Sequence, residues 1–155
     1  MSEVLNGIRT RVGEENLSTL RSRSSCGVNM TEAPSPRVVI DADRAFPAHG
    51  MMGKRCDYII FFCDTAQNCL VAVLIELKGG DVKASEVSEQ LQAGANFAER
   101  FTPGAPEAVC LPCLFHKGIH KREFQQLQRA SVRFRGEDTP IKTARCDSPL
   151  IRALS

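Results

Sequence analysis

The fold is decided by two apolar runs, residues 56–62 (CDYIIFF) and residues 70–80 (LVAVLIELKGG). Both runs are rich in β-branched and aromatic residues, and the short segment between them is made of polar turn formers. This pattern predicts two neighbouring strands that form a hairpin and are buried on both faces. Charge stands only near the ends of the runs, at Asp57, Glu76 and Lys78. Because a buried charge is costly unless it is compensated, these three residues are the first place to look for chemistry.

Segments on either side extend this hairpin into an α/β fold. We expect an interrupted helix over residues 1–22, an irregular loop over 22–36, strands over 37–43 and 108–115, helices over 81–101 and 121–130, and a last hairpin over 132–145. Asp81 is the expected N-cap of the clearest helix, whose apolar residues recur every three or four positions. This helix is a crossover between two strands, which predicts a mixed central sheet flanked by helices, with a C-terminal helix and hairpin extension.

Length and composition restrict the class of protein. A chain of 155 residues with 43% hydrophobic residues is expected to form one domain, residues 1–155, around one core. The net charge of +2 is too small to indicate nucleic-acid binding by bulk electrostatics, so any basic surface must be local. No stretch approaches the roughly 20 apolar residues of a membrane span, and the polar N-terminus lacks the apolar core of a signal peptide. We therefore expect a cytoplasmic protein without membrane contact.

The pattern of cysteines predicts buried, reduced thiols and not a set of disulfide bonds. Seven cysteines are an odd number, and several lie inside strand-like runs, which favours reduced, buried thiols over a disulfide framework. The segment with Cys110, Cys113, His116 and His120 has the outline of four zinc ligands. On a strand, however, Cys110 and Cys113 would point to opposite faces, and the spacing to the histidines is short. A zinc-stabilised interaction module is therefore an alternative that we do not favour.

The charges at the strand ends predict a site for a cation. Glu76 and Lys78 are separated by one residue, so both project from the same face of a strand. Hairpin pairing brings Asp57 beside Glu76. Two carboxylates at this separation repel each other and call for a positive charge, which Lys78 supplies in part and a divalent metal supplies more fully. Oxygen ligands suit Mg²⁺ or Mn²⁺, and such a site hydrolyses phosphodiesters while Lys78 orients the attacking water.

This arrangement resembles a known family. Asp57, then Glu76-Leu77-Lys78 on the strand after a hairpin, then a helix that contains Gln90, is similar to the PD-(D/E)XK nuclease superfamily, which has the restriction-endonuclease-like fold. The resemblance implies that Asp57 and Glu76 are metal ligands and that the carbonyl of Leu77 is a further ligand. It also implies that Lys78 is the catalytic lysine and that Gln90 lies beside the site.

The resemblance covers about residues 37–116, with the first helix added by implication. In this family a glutamate on the first helix often completes the metal site. Glu15, or alternatively Glu14, is the matching residue, although the irregular loop that follows weakens the correspondence. The residue before the aspartate is Cys56 in place of the family's proline, a departure at a position that is not a ligand.

The function that the resemblance implies is metal-dependent phosphodiester hydrolysis of nucleic acid, with DNA as the expected substrate, in DNA repair, restriction or defence against mobile elements. Its phosphate-contacting rim is expected among the basic residues of the C-terminal third, unless these only form a solvated face: Lys117, His120, Lys121, Arg122, Arg129, Arg133 and Arg135. A domain of this size has little surface with which to surround a duplex, so a homodimer or a partner subunit is expected.

A second function class stays open at this stage. The chain is then a relative of the nuclease fold without catalysis, which serves as a binding or assembly subunit. In that case Asp57, Glu76 and Lys78 are ordinary strand-end charges, and their ion pair contributes at most about 1 kcal/mol.

Overall fold

In the computed structural model, which describes residues 2–19 and 25–155, the chain forms an α/β structure. The strands are β1 (Arg37–Asp41), β2 (Tyr58–Asp64), β3 (Cys69–Lys78), β4 (Glu107–His116), β5 (Ser131–Phe134), β6 (Glu137–Pro140) and β7 (Lys142–Arg145). The helices are α1 (Ser2–Val12), α2 (Ala42–Ala48), α3 (Ala84–Phe101), α4 (Lys121–Arg129) and α5 (Leu150–Ala153), and a short 3-10 helix, Glu14–Asn16, follows α1.

Five strands form a mixed sheet in the order β1-β2-β3-β4-β7. The first three strands are antiparallel, and β2 and β3 form the predicted hairpin, in which Asp64 pairs with Cys69. Helix α3 then crosses over so that β4 runs parallel to β3, and β7 runs parallel to β4. The prediction of a mixed central sheet flanked by helices is therefore confirmed. The carboxyl ends of β3, β4 and β7 meet at the same edge of this sheet.

Both faces of the sheet are covered. On one face, Ile59 and Leu74 pack with apolar residues of α1 and α3, and we call this the helix face. On the other face, Ile75 and Leu77 pack against apolar side chains that come from the loop before β1 and from α5. Because strand side chains alternate, each face draws on every second residue of β2 and β3. This explains why both strands are apolar almost throughout.

The N-terminal segment is interrupted as predicted. Helix α1 ends at Val12, and Gly13 has a φ of 99°, a conformation that side-chain-bearing residues rarely adopt. A Cβ at this position would lie 2.6 Å from a carboxylate oxygen of Glu15. The end of the predicted helix and the beginning of the predicted loop, residues 20–24, lie outside the described part of the chain. From residue 25 to 36 the chain forms turns and bends, with an isolated bridge from Asn29 to Pro149.

Two element boundaries differ from the prediction. Strand β1 ends at Asp41 because this side chain accepts a hydrogen bond from the Asp43 N–H and caps α2, a helix that the sequence pattern did not indicate. Helix α3 begins at Ala84, so Asp81 is not its N-cap. The N–H of Ala84 donates instead to Glu123 Oε1 at 2.8 Å, a partner that comes from α4 and is distant in sequence.

The C-terminal extension also differs in part. Strands β5 and β6 form a hairpin around a turn at Arg135 and Gly136, but β7 leaves that hairpin and joins the main sheet. Strand β7 pairs with β4 only from Cys113 onward, so β4 has a free edge at Pro112, where a residue without an N–H is tolerated. In α4, Leu127 is buried as expected, whereas Phe124 is 36% exposed and does not point inward.

One disulfide contradicts the expectation of reduced thiols. Cys26 and Cys146 are bonded and join the loop before β1 to the end of β7, while the other five cysteines carry free thiols. Cys110 packs on the helix face and Cys113 on the opposite face, which confirms the predicted alternation along β4. Within the described ranges, no helix is both long enough and apolar enough to cross a bilayer.

Candidate active site

Asp57 and Glu76 lie opposite each other at the end of the β2–β3 hairpin. Tyr58 pairs with Ile75, and the Asp57 N–H continues the ladder by donating to the Ile75 carbonyl at 2.9 Å. The side chain of Asp57 is held in place because its Oδ2 accepts the Leu77 N–H at 2.8 Å. By alternation from Ile59 and Leu74, both carboxylates project from the helix face. The structure thus brings the two predicted acidic residues together.

Glu76 is a buried carboxyl group with an incomplete set of partners. Its residue is only 3% exposed, and Oε1 has no hydrogen-bond partner among the described residues. Oε2 lies 3.3 Å from Lys78 Nζ. Burial, and next the charge of Asp57, raise the pKa of Glu76 to about 8, although Lys78 acts in the opposite direction. Around neutral pH this site therefore accepts a positive charge, either as a proton or as a cation.

Lys78 connects the two strands to helix α3. Its Nζ lies 3.3 Å from Glu76 Oε2 and 3.2 Å from Glu86 Oε1. Burial acts to lower the pKa of Lys78, but the charge of Glu76 and the hydrogen bonds to Glu86 and Glu76 outweigh it, so the pKa is raised. The hydrogen bond from Lys78 lowers the pKa of Glu86. The ammonium group is thus held between two carboxylates, of which the sequence analysis identified only Glu76.

Helix α3 reaches the site because it packs closely on β3. A Cβ on Gly94 would lie 2.7 Å from the Cys56 sulfur and 3.5 Å from Leu74, so the helix touches the sheet at this point. Four helix residues advance about 6 Å and two strand residues about 6.6 Å. With Gly94 over Leu74 and Glu86 at Lys78, the intermediate Gln90 lies over Glu76.

Gln90 therefore lies where the sequence resemblance expected it, beside the acidic residues. Its Oε1 is buried and has no hydrogen-bond partner within the described part of the chain, as is the case for Glu76 Oε1. Each of these buried oxygen acceptors lacks a donor and favours a proton, a water molecule or a cation as its partner. Sequence periodicity alone would have assigned Gln90 to the solvated side of the helix.

His116 is a further polar residue at this edge that the sequence analysis did not connect with the acidic pair. It pairs in register with Lys78 on β3 and with Arg145 on β7, and it is 8% exposed. Its Nδ1 is buried without a hydrogen-bond partner among the described residues. Burial and the charge of Arg145 lower its pKa, so the ring is neutral near pH 7. The sequence placed it only in the zinc alternative because strand register is not readable from spacing.

Two predicted metal ligands have different environments. Leu77 buries its side chain on the face opposite the acidic pair, and its N–H points toward β2, so its carbonyl points the same way. Glu15 lies on the 3-10 helix with an exposed side chain, and its carbonyl accepts from Arg44 at 3.2 Å. The alternative, Glu14, lies 3.8 Å from Arg9. Glu14 through its carboxylate and Glu15 through its carbonyl thus contact arginine side chains.

The described residues contain no group of three or more His, Cys, Asp or Glu side chains that could hold a metal ion. Asp57 and Glu76 are accordingly a pair, and Glu15 does not join them in one group. Any cation at this pair must complete its coordination with backbone oxygen, water or a bound ligand.

The predicted basic rim is divided by the fold. His120, Lys121 and Arg122 lie at the beginning of α4, next to the first turn of α3 and hence near Lys78. In contrast, Arg133 pairs with Asp138 at 3.2 Å, and the Arg135 guanidinium donates to the Thr102 carbonyl beyond the other end of α3. Of these two groups, only the first is near the edge of the sheet that carries the acidic pair, and Lys117 lies at the same edge, directly after β4.

Comparison of this chain with protein-family models, with curated proteins and with solved structures finds no match.

Proposed function

We propose that this protein is a metal-dependent nuclease with a PD-(D/E)XK-type site. The observation that carries the proposal is the arrangement of Asp57, Glu76 and Lys78 on one face at one end of a hairpin, with a buried Glu76 oxygen that lacks a partner. The order of the elements, three antiparallel strands followed by a crossover helix and a parallel strand, supports a restriction-endonuclease-like core.

The donor set supports Mg²⁺ or Mn²⁺ as the cofactor. Asp57 and Glu76 offer only oxygen, and Mg²⁺ is commonly held by one or two carboxylates while it keeps several waters. Glu76 Oε1 is buried without a partner, so a cation would satisfy an atom that the protein leaves unsatisfied. When bound, such an ion neutralises charge on a phosphodiester and lowers the pKa of a coordinated water. The Leu77 carbonyl, which points toward β2, is the proposed further ligand.

The protein groups then have separate roles. Asp57, oriented by the Leu77 N–H, and Glu76 hold the ion. Lys78 donates a hydrogen bond to the attacking water and stabilises the negative charge that develops on the phosphate. Gln90 orients a water molecule with the buried Oε1. Glu15 is the proposed additional acidic residue of the metal site. A homodimer or a partner subunit is proposed to help hold a duplex. The proposed substrate is DNA, and repair, restriction or defence against mobile elements is the proposed setting.

The test is cleavage of plasmid and single-stranded DNA, and of RNA in parallel, with Mg²⁺ or Mn²⁺. We expect the wild type to cleave DNA, and Glu76→Gln and Lys78→Met each to lower the rate by about 10²- to 10³-fold or more. Asp64→Asn is the matched control, because Asp64 lies at the other end of the same strand pair and should leave the rate unchanged.

Activity that survives both site substitutions would contradict the proposed mechanism. A wild type that binds nucleic acid but does not cleave it with either metal would favour the alternative function, a binding or assembly subunit. Cleavage of RNA in place of DNA would change the proposed substrate and leave the mechanism in place.

A further inference from the structure

An open cavity of about 1190 Å³ lies between the beginning of α3 and the beginning of α4, and we call it the α3–α4 cleft. One wall is the loop that connects β3 to α3, with Asp81 and Lys83, and the other is the segment that leads into α4, with His120, Lys121 and Arg122. The cavity is larger than the 300–1,000 Å³ typical of small-molecule pockets and is open to solvent. Its size and openness suit a polymer better than an enclosed metabolite.

The two walls are fixed to each other and to the active site. Glu123 of α4 accepts the Ala84 N–H at 2.8 Å, which anchors α4 at the beginning of α3. Two residues further along α3, Glu86 bonds to Lys78 at 3.2 Å. The first turn of α3 is therefore shared by the cleft and by the site. Lys78 is therefore linked to the cleft through this turn.

The cleft presents cations that are not neutralised within the protein. Lys83, Lys121 and Arg122 are exposed, and among the described residues none of them forms an ion pair within 4.0 Å. Two carboxylates also line the cavity, Glu123, which accepts the Ala84 N–H, and the exposed Asp81, so three cationic side chains stand against two anionic ones. Arg133 and Arg135 of the β5–β6 hairpin, in contrast, already have protein partners. Within the walls of the cleft, the unpaired positive charge lies on Lys83, Lys121 and Arg122.

We propose that the α3–α4 cleft binds the sugar–phosphate backbone of one nucleic-acid strand on one side of the phosphate that is cut. This inference rests on the proposed nuclease function and specifies where the substrate lies. Lys121 and Arg122 contact successive phosphates, and Lys83 contacts the strand from the opposite wall. Phosphate contacts of this kind fix the position of a strand without reading its sequence, so the cleft contributes affinity and register but little specificity.

The experiment measures binding without cleavage. Fluorescence anisotropy of a short labelled single-stranded DNA, and of the same sequence as a duplex, is recorded in EDTA over a range of salt concentrations. The test variant is Lys121→Gln with Arg122→Gln, and the matched control is Arg11→Gln with Arg152→Gln. Both variants lose two positive charges from exposed helix positions, but the control residues lie at the end of α1 and on α5, outside the cleft. Thermal melting checks that both variants are folded.

We expect the test variant to bind at least about tenfold more weakly than the wild type, whereas the affinity of the control changes by less than about threefold. For single strands, the slope of log K against log salt concentration should decrease in magnitude by about 1.4 in the test variant. An equal loss in both variants would show that only net charge matters and would overturn the cleft as the binding site. Unchanged affinity in the test variant, or a wild type that does not bind in EDTA, would also overturn it. Cleavage that depends on Glu76 but not on Lys121 and Arg122 would support the nuclease function and contradict the role of the cleft. Binding that depends on Lys121 and Arg122, without any cleavage, would support the cleft and contradict the nuclease function.

Discussion

The two ends of the β2–β3 hairpin each carry an aspartate, and the two aspartates have different surroundings. At the turn, Asp64 Oδ1 accepts the N–H groups of Ala66 and Gln67 at 3.1 and 3.3 Å. At the other end, Asp57 Oδ2 accepts the Leu77 N–H, and the residue lies across from a second, buried carboxyl group, Glu76. One aspartate completes a turn, and the other forms half of an acidic pair.

The difference shows that residue type alone does not identify a site. Asp64 is at a partly exposed turn, where the backbone supplies the donors that an aspartate needs. Asp57 lies under helix α3, where Glu76 is shielded from water and the two acids raise the cost of ionisation. The difference between the two aspartates can be measured.

The largest stability effect is expected for Glu76→Gln in the absence of divalent metal. The pKa of Glu76 is raised from 4.5 to about 8 in the folded protein, so the folded state holds a proton that the unfolded state releases. Ionisation of Glu76 therefore does not change the free energy of unfolding below about pH 4.5, lowers it as the pH rises to about 8, and lowers it no further above that. Glu76→Gln cannot ionise at this position, so the variant does not lose this stability. Urea unfolding should therefore show it more stable than the wild type above pH 8, by on the order of 3–5 kcal/mol.

Asp64→Asn is the control for this measurement, because no second carboxylate faces Asp64 in the strand register. Its stability difference from the wild type should be the same at pH 5 and pH 8.5. A Glu76→Gln difference that is likewise independent of pH would contradict the account of Glu76 as a carboxyl group with a raised pKa.

A smaller effect is expected at Gly94, where α3 touches the site end of the hairpin. A Cβ here would lie 2.7 Å from the sulfur of Cys56, which is 1% exposed. Gly94→Ala should therefore lower the free energy of unfolding by about 1–3 kcal/mol. Adding Cys56→Ala removes the clashing atom and should restore part of this loss in a double-mutant cycle.

Gly7→Ala provides the matched comparison in another helix. Nothing lies within 4 Å of a Cβ on Gly7, which is exposed within α1. The same substitution should therefore stabilise the protein, by about 0.5–1 kcal/mol, because alanine favours the helix. If Gly94→Ala were as harmless as Gly7→Ala, α3 would not be as close to the sheet as the structure has it.

A similarly small effect is expected at the turn itself. Asp64→Ala removes the acceptor of two N–H groups that water can still reach, and should cost about 1 kcal/mol in chemical denaturation. Asp64→Asn keeps the Oδ1 acceptor and should be close to neutral. A loss from Asp64→Ala as large as that from Gly94→Ala would mean that the turn end is as constrained as the site end.

Much of the central sheet was predictable because its signals are local. Apolar runs bounded by turn formers predicted β2 and β3, and a periodic apolar face predicted α3, each from residues close together in the chain. Helix α2 and the true beginning of α3 were not predictable in this way. The first depends on the cap that Asp41 supplies, and the second on Glu123, which is distant in sequence.

The candidate site divides in the same manner. The hairpin predicted that Asp57 and Glu76 would meet, and alternation along the strand added Lys78. Glu86, His116 and the cleft could not be predicted, because they depend on how α3, β4 and α4 pack around the hairpin. The disulfide between Cys26 and Cys146 was missed for the same reason, since it joins residues whose separation is set by the sheet and not by the chain.

By itself, the sequence of this protein determined the mixed sheet, the main crossover helix and the acidic pair, because strand alternation and hairpin pairing are short-range rules. Tertiary structure alone decided which partners surround that pair: the second carboxylate on Lys78, the buried imidazole beside it, and the basic residues next to the site. The physical reason is that burial and electrostatic interaction depend on distances across the fold, and these distances are fixed only when the helices pack on the sheet.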